Sequence, residues 1–218
     1  AAAAGSSHRV GIIGGNINAL SVCIPGRLRA SDRTLCATGG SGPEAGAEPD
    51  PYLEIPITLR GHRDVPADRR GAPYPVIGFS HGLGGIRFQS ASLCEYLASH
   101  GFVVISPDHE GHLLYDFVRG FDSSRTGEVI VERPGDVSES VDYVLGLTPE
   151  ESPHLAGLAD ASRMGLVGHS FGAINALMLA GADDDLPGLT TWCEENGGNA
   201  CNYVDRIDFD ATEQTDFA

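Results

Sequence analysis

The chain has 218 residues, 41% hydrophobic and 7% aromatic, with a formal net charge of −16. That length suits one domain, large enough to bury a core. The charge argues against nucleic acid or an anionic membrane surface as partner, because both repel an acidic body. No run approaches the roughly 18 consecutive apolar residues of a spanning helix, so stable membrane insertion is not expected.

Residues 1–50 are rich in Ala, Gly, Ser and Pro and read as a low-complexity N-terminal segment, with a linker over 37–51. The partly apolar run 10–23 is interrupted by Asn16 and Asn18, which makes a poor signal-peptide core. Leu20-Ser21-Val22-Cys23 approaches a lipoprotein cleavage pattern, but Val22 stands where a small residue is needed, so no lipid anchor is expected. All fourteen basic residues are arginine, which fits a GC-rich genome or a high-salt habitat.

The folded domain is expected over 51–218. Residues 52–59 alternate apolar and polar, as an edge strand does. A charged loop follows over 60–73. Residues 75–79 are a short buried strand, and 88–100 a helix with Leu93, Tyr96 and Leu97 on one face, stopped at Gly101. Residues 102–105 are a second buried strand, ended by Pro107. An irregular excursion is expected over 109–133. Residues 136–147 carry Val137, Val141, Val144 and Leu145 at helical spacing. Residues 164–167 are a third buried strand, and 171–180 a helix of small and apolar residues. Beyond Ala182 the sequence turns acidic and loop-like, with no further buried strand. Buried strands alternating with amphipathic helices predict an α/β fold with a mostly parallel sheet covered on both faces.

The third strand runs into Gly168-His169-Ser170-Phe171-Gly172, which fits G-x-S-x-G. In such an elbow the serine occupies a strained strand-to-helix turn, and small residues two places either side let strand and helix approach. The helix N-terminus then points at developing negative charge. The pentapeptide alone is weak in a chain with 29 glycines; the apolar strand before it and the helix after it carry the assignment. Ser170 is therefore the candidate nucleophile. An alkoxide-like intermediate needs two backbone N–H donors. Phe171 supplies one; the other is expected from Leu83, in the loop His81-Gly82-Leu83-Gly84-Gly85 after the first buried strand. His81 is expected to brace that loop rather than to act as a base.

Phe79-Ser80-His81-Gly82-Leu83-Gly84-Gly85, then Leu97-Ala98-Ser99-His100-Gly101-Phe102-Val103-Val104, then the elbow, closely resemble the platelet-activating-factor acetylhydrolase and predicted dienelactone hydrolase group. The likeness covers about residues 75–182. It implies an α/β-hydrolase fold, a Ser-His-Asp triad, no cofactor, and small-molecule ester or lipid-ester substrates. True dienelactone hydrolases use a cysteine nucleophile; this chain has Ser170 there. His100 reads as part of a helix stop.

The chain departs from that pattern after the elbow. Triad order in this fold is Ser, acid, His. All eight histidines (His8, His62, His81, His100, His109, His112, His154 and His169) precede Ser170, and none lies between it and Ala218. Asp205, Asp208 and Asp210 lie downstream in a polar run that reads as a solvated loop. His109 and His112 follow the second buried strand near the sheet's C-terminal rim, where open α/β sheets build sites. Pocket-lining loop, catalytic base and metal pair are the three readings, the first preferred and no metal site expected. The sequence thus reads as the N-terminal and central part of a hydrolase whose last strands are missing, completed by a further segment or a second chain. The alternative is a non-catalytic binding protein of the same fold. A lipase or polyester hydrolase is the alternative enzyme. If the strands are missing, the one before the elbow has an open apolar edge.

Cys193 and Cys201 bracket a short Gly/Asn-rich loop that can close a disulfide, and Cys23 and Cys36 flank another loop; five unrelated thiols are the alternative. Cys94 falls on an apolar helical face as a buried small hydrophobe. Local cysteine pairs point to a secreted or periplasmic protein.

Overall fold

The computed structural model describes residues 9–13, 20–26, 62–63, 67–182 and 186–206. Among these residues six strands form one sheet in the order β3-β1-β2-β5-β4-β6. They are β1 (Arg9–Ile13), β2 (Leu20–Gly26), β3 (His62–Arg63), β4 (Tyr74–Ser80), β5 (Val103–Pro107) and β6 (Ala159–Gly168). β4 lies parallel to both β5 and β6, and these three carry the site. β2 joins β5 antiparallel, and β1 joins β2 antiparallel.

Helices α1 (Ala91–Ser99) and α3 (Thr126–Gly146) cover opposite faces of this sheet, and the strands show why. Side chains alternate faces along a strand. Val76, Val103 and Ile105 point one way and pack with Val141 and Val144 of α3, and with Tyr74, Leu155 and Leu158. Phe79 and Val104 point the other way onto Cys94 and Ala98 of α1. Gly78 lets α3 lie close: a Cβ there would stand 3.0 Å from Val137 Cγ1. Helix α4 (Phe171–Leu179) sits on the α3 side, where its Met178 meets Val131.

Several expected boundaries move. The first helix begins at Ala91, three residues late, because 87–90 form a turn. The excursion expected over 109–133 instead holds a short helix, α2 (Leu114–Gly120), a 3-10 turn, and the first two turns of α3. Pro134 lies inside α3, where a proline removes a helical hydrogen bond; tertiary burial on the Val129–Val137 side outweighs its missing donor. The acidic tail is also ordered: α5 (Leu186–Asn196) and a 3-10 helix (Asn199–Arg206) place Leu189 and Tyr203 against Val131 and Met178. Cys193 and Cys201 are disulfide-bonded between those two elements. Within the segment expected to be low-complexity, β1 and β2 join the sheet. The expected strand at 52–59, Cys36, Asp208 and Asp210 lie outside the described residues.

At the far end of the sheet, β6 pairs with β4 alone among the described residues, and its Met164–Gly168 half is only partly buried. The core around β5 has no such opening. Ile105→Ala should therefore lower stability by about 2–5 kcal/mol. Tyr143→Ala, on the exposed side of α3, should stay within about 0.5 kcal/mol of wild type. Urea denaturation midpoints of the two variants check this; equal midpoints would overturn the assignment of the core.

Candidate active site

Ser170 stands between the end of β6 and the start of α4 with φ 53° and ψ −117°. That left-handed conformation is strained for a residue with a Cβ. The strain is held by backbone packing on both sides. A Cβ on Gly168 would collide with the Gly172 carbonyl, and one on Gly172 with the Ser80 carbonyl at the end of β4. The His169 N–H donates to Ser80 O at 3.1 Å, and the Ala173 N–H to Ser170 O at 2.9 Å. Ser170 itself is solvent-exposed, and its hydroxyl has no hydrogen-bond partner among the described residues. His169 is exposed beside it.

The glycine loop after β4 comes up against this turn. A Cβ on Gly82 would lie 3.3 Å from Ser170 Cβ and 3.0 Å from His169 Nδ1. The loop's amides divide clearly. Gly82 N–H donates to Gln89 Oε1 at 2.6 Å, Gly84 N–H to His112 O at 2.9 Å, and Gly85 N–H to Gly82 O at 3.0 Å. The Leu83 N–H has no acceptor among the described residues, and neither does the Phe171 N–H at the start of α4. Two free donors thus flank an exposed serine at a helix N-terminus, an arrangement able to receive a developing oxyanion.

Beneath the loop lies a buried polar cluster. Its members are Ser80, His81, His109, His112, Arg133 and Asn175, none more than 2% exposed. His109 Nδ1 is 2.7 Å from Asp136 Oδ2, and His109 Nε2 is 2.8 Å from Ser80 Oγ. The carboxylate can only accept, so Nδ1 carries the proton and Nε2 accepts from the Ser80 hydroxyl. Ser80 Oγ in turn accepts from Asn175 Nδ2 at 3.0 Å and from Arg133 at 3.4 Å. His81 Nε2 accepts the His109 backbone N–H at 3.1 Å, so its Nδ1 donates to Gly82 O at 2.7 Å. Arg133 donates to the His81 carbonyl and, at 3.3 Å, to His112 Nδ1. One step further round the loop, Asp108 accepts from the Arg87 N–H at 2.6 Å and pairs with its guanidinium at 2.8 Å.

These positions correct the picture of His109 and His112 as residues of an open rim loop. Both are sealed, and both ring nitrogens of His109 are taken. Among the described residues no group of three His, Cys, Asp or Glu side chains is arranged to hold a metal ion. Asp205 falls in the last 3-10 helix. In the sequence Ser80 figures only within the glycine-loop motif, and Arg133, Asp136 and Asn175 carry no expected role. One signal for Arg133 existed. The buried stripe of α3 runs Val129, Arg133, Val137, Val141 at steps of four, so Arg133 is a charge on an apolar face.

Burial, reinforced by neighbouring charges, pushes the three imidazoles down: His81 to about 3, His109 to about 2 and His112 to about 4. They are neutral when folded but bind protons below about pH 6.5 once unfolded. Burial also pushes Asp136 up to about 6, against the pull of Arg133, and raises Asp108. Asp136 acts in the opposite sense, holding a proton in the folded state near pH 5 that the unfolded chain releases. The three histidines outnumber it, so unfolding near pH 5 should take up about two protons, and stability should fall as pH drops from about 6.5 to about 4.5. Urea midpoints across that range test the sign. A midpoint that rises on acidification would show that the cluster is not buried as described.

Residues 63–113 match the family model described as platelet-activating factor acetylhydrolase, isoform II. That stretch contains β4, the glycine loop, α1, β5 and the buried His109 and His112. The chain is 25% identical to a platelet-activating factor acetylhydrolase of Cavia porcellus and 32% identical to cutinase est1 of Thermobifida alba. Each alignment covers 57% of this chain and 37% of the relative. A ferulic acid esterase structure from Streptomyces cinnamoneus superposes with a TM-score of 0.50 at 21% identity, over 72% of this chain and 46% of that one. At that identity the likeness is one of fold. The chain thus spans well under half the length of the curated relatives it matches. The chain thus has an α/β-hydrolase fold and is similar in sequence to the platelet-activating-factor acetylhydrolases and the cutinases.

Proposed function

We propose that the chain carries the nucleophile and oxyanion hole of a serine carboxylic-ester hydrolase. The carrying observation is the exposed Ser170 at φ 53° with two unpaired amides, Leu83 and Phe171, beside it. Ser170 Oγ attacks the ester carbonyl while a base takes its proton. The carbonyl oxygen, now an anion, is held by the two N–H groups. The alcohol leaves with that proton, and water releases the acid from the acyl-serine by the same steps in reverse. His109 is not the base, since Asp136 and Ser80 occupy its nitrogens. The base is a histidine from outside the described residues, as is the carboxylate that orients it. His81 keeps the role of loop brace, through its bond to Gly82 O. No step needs a cofactor.

The substrate class is a short-acyl or phospholipid-like ester. Support comes from the acetylhydrolase relative and from the apolar rim of the loop, where Leu83, Phe117 and Val118 are all exposed. Phe117 lies against Gly84, 3.4 Å from where a Cβ would stand, and stacks on Phe121 with ring centroids 4.3 Å apart. The higher identity to the cutinase favours a second reading, a lipase or polyester hydrolase using the same serine. The Cys193–Cys201 disulfide supports a secreted or periplasmic location, because such bonds persist in oxidising compartments. No helix among the described residues is long and apolar enough to cross a membrane.

Two measurements test this reading in the complete protein. A fluorophosphonate probe should label wild type and not Ser170→Ala, and kcat should fall about 10⁶-fold in that variant; labelling that survives the substitution would overturn the nucleophile. Across p-nitrophenyl esters from acetyl to palmitoyl, kcat/KM should be highest at short chains. A maximum at long chains would transfer the assignment to the lipase or polyester reading. Absence of both labelling and turnover would favour a binding protein of this fold.

A further inference from the structure

We infer that Arg133 is a positioning residue for the oxyanion hole, one buried guanidinium fixing both of its walls; this rests on the reading of Ser170 as nucleophile. Arg133 is fully buried midway along α3. A buried charge is costly unless it is hydrogen-bonded, so its contacts are informative. It donates to the His81 carbonyl on one side, and its guanidinium carbon lies 5.1 Å from the centroid of the Phe171 ring on the other. His81 begins the loop that presents the Leu83 N–H, and Phe171 provides the second donor.

The loop wall is held peptide by peptide. The 81–82 peptide is fixed at its carbonyl by Arg133 and at its N–H by Gln89. The next peptide, 82–83, carries the Leu83 N–H, and its carbonyl accepts from His81 Nδ1 and from the Gly85 N–H. With both planes held, the Leu83 N–H is aimed before substrate arrives, which is the condition for electrostatic preorganisation. The same guanidinium supplies charge. No carboxylate among the described residues is hydrogen-bonded to Arg133, because Asp136, one turn along α3, is engaged with His109. A cation not neutralised by direct contact therefore sits under the place where the substrate oxygen becomes an anion.

The test compares Arg133→Lys, Arg133→Met and Val144→Ala in the complete protein. Val144 is buried on the same helix, in the core cluster away from the loop, and serves as the matched loss of packing. Arg133→Met should lower kcat about 10- to 100-fold, less than the roughly 10²–10³ of removing a donor outright. KM should change by less than about threefold, since the loss falls on the transition state. The inhibition constant of a boronic acid that mimics the tetrahedral adduct should rise in step with the fall in kcat. Arg133→Lys keeps the charge but not the two-sided reach of the guanidinium, so it should recover part of kcat. Val144→Ala should lose stability with kcat unchanged. If Arg133→Met does not fold, Arg133→Lys carries the test through its kcat and boronic acid binding. Wild-type kcat in the Arg133 variants, or a kcat loss matched by Val144→Ala, would overturn the inference while leaving Ser170 in place. Activity surviving in Ser170→Ala would instead remove the reading on which it rests.

Discussion

The site depends on how closely the start of α4 lies against the end of β4. Gly172 has no room for a Cβ because the Ser80 carbonyl is there, and Gly168 has none because Gly172 is there. Three backbone segments therefore meet without side chains between them. This contact places Ser170, and it also forces the serine's left-handed backbone, a conformation that costs on the order of 1–3 kcal/mol. The strain persists because β6 is paired to β4 on one side of the turn and α4 packs on β4 and β6 on the other. The same approach brings the glycine loop, which leaves β4 at Ser80, to within contact of Ser170. Ser170 and the loop are thus positioned by one packing event rather than two.

A polar interior under that crossing follows from geometry. The ends of parallel strands expose carbonyls and loop amides that need partners, and water does not reach them here. Ser80 and His81 at the end of β4, His109 after β5, Arg133 on α3 and Asn175 on α4 supply the partners. Neutral imidazoles suit the task, since each offers one donor and one acceptor without a charge to desolvate. Arg133 is the exception that carries charge: burial lowers it only to about 10, so it stays protonated at neutral pH. Its field also helps keep the three histidines neutral.

What is legible in the sequence is whatever is local. The strands at 75–79, 102–105 and 164–167, the elbow, and the glycine loop all announce themselves within a few residues, and each expected strand shares at least one end with the structure to within about two residues. What is not legible depends on partners distant in the chain. The first two turns of α3 look irregular because Pro134-Gly135 reads as a break and because Arg133 hides the continuity of the buried stripe. α5 looks like a loop because its apolar residues are few; Leu189 finds its partners only once α3 and α4 are assembled. The hydrogen bond of Ser80 to His109 spans 29 residues, and that of Asn175 to Ser80 spans 95. No periodicity in one sequence encodes such a pairing.

Ser80, His109 and Asp136 have the connectivity of a catalytic triad, with links of 2.8 and 2.7 Å, yet they are the wrong serine and the wrong histidine for chemistry. Ser80 is 2% exposed and its hydroxyl accepts two further hydrogen bonds, so no ester carbonyl can approach it. It is also the last residue of strand β4, not part of a strained turn. Ser170 has the reverse properties: no hydrogen-bonded histidine among the described residues, but an exposed hydroxyl, a strained turn, and two unpaired donors. A base can be brought to an exposed serine by another part of the protein, whereas a sealed one cannot be exposed without dismantling the cluster that supports the loop. Access and the oxyanion donors, not the Ser-His-Asp linkage, are therefore the grounds on which Ser170 rather than Ser80 is proposed as the nucleophile.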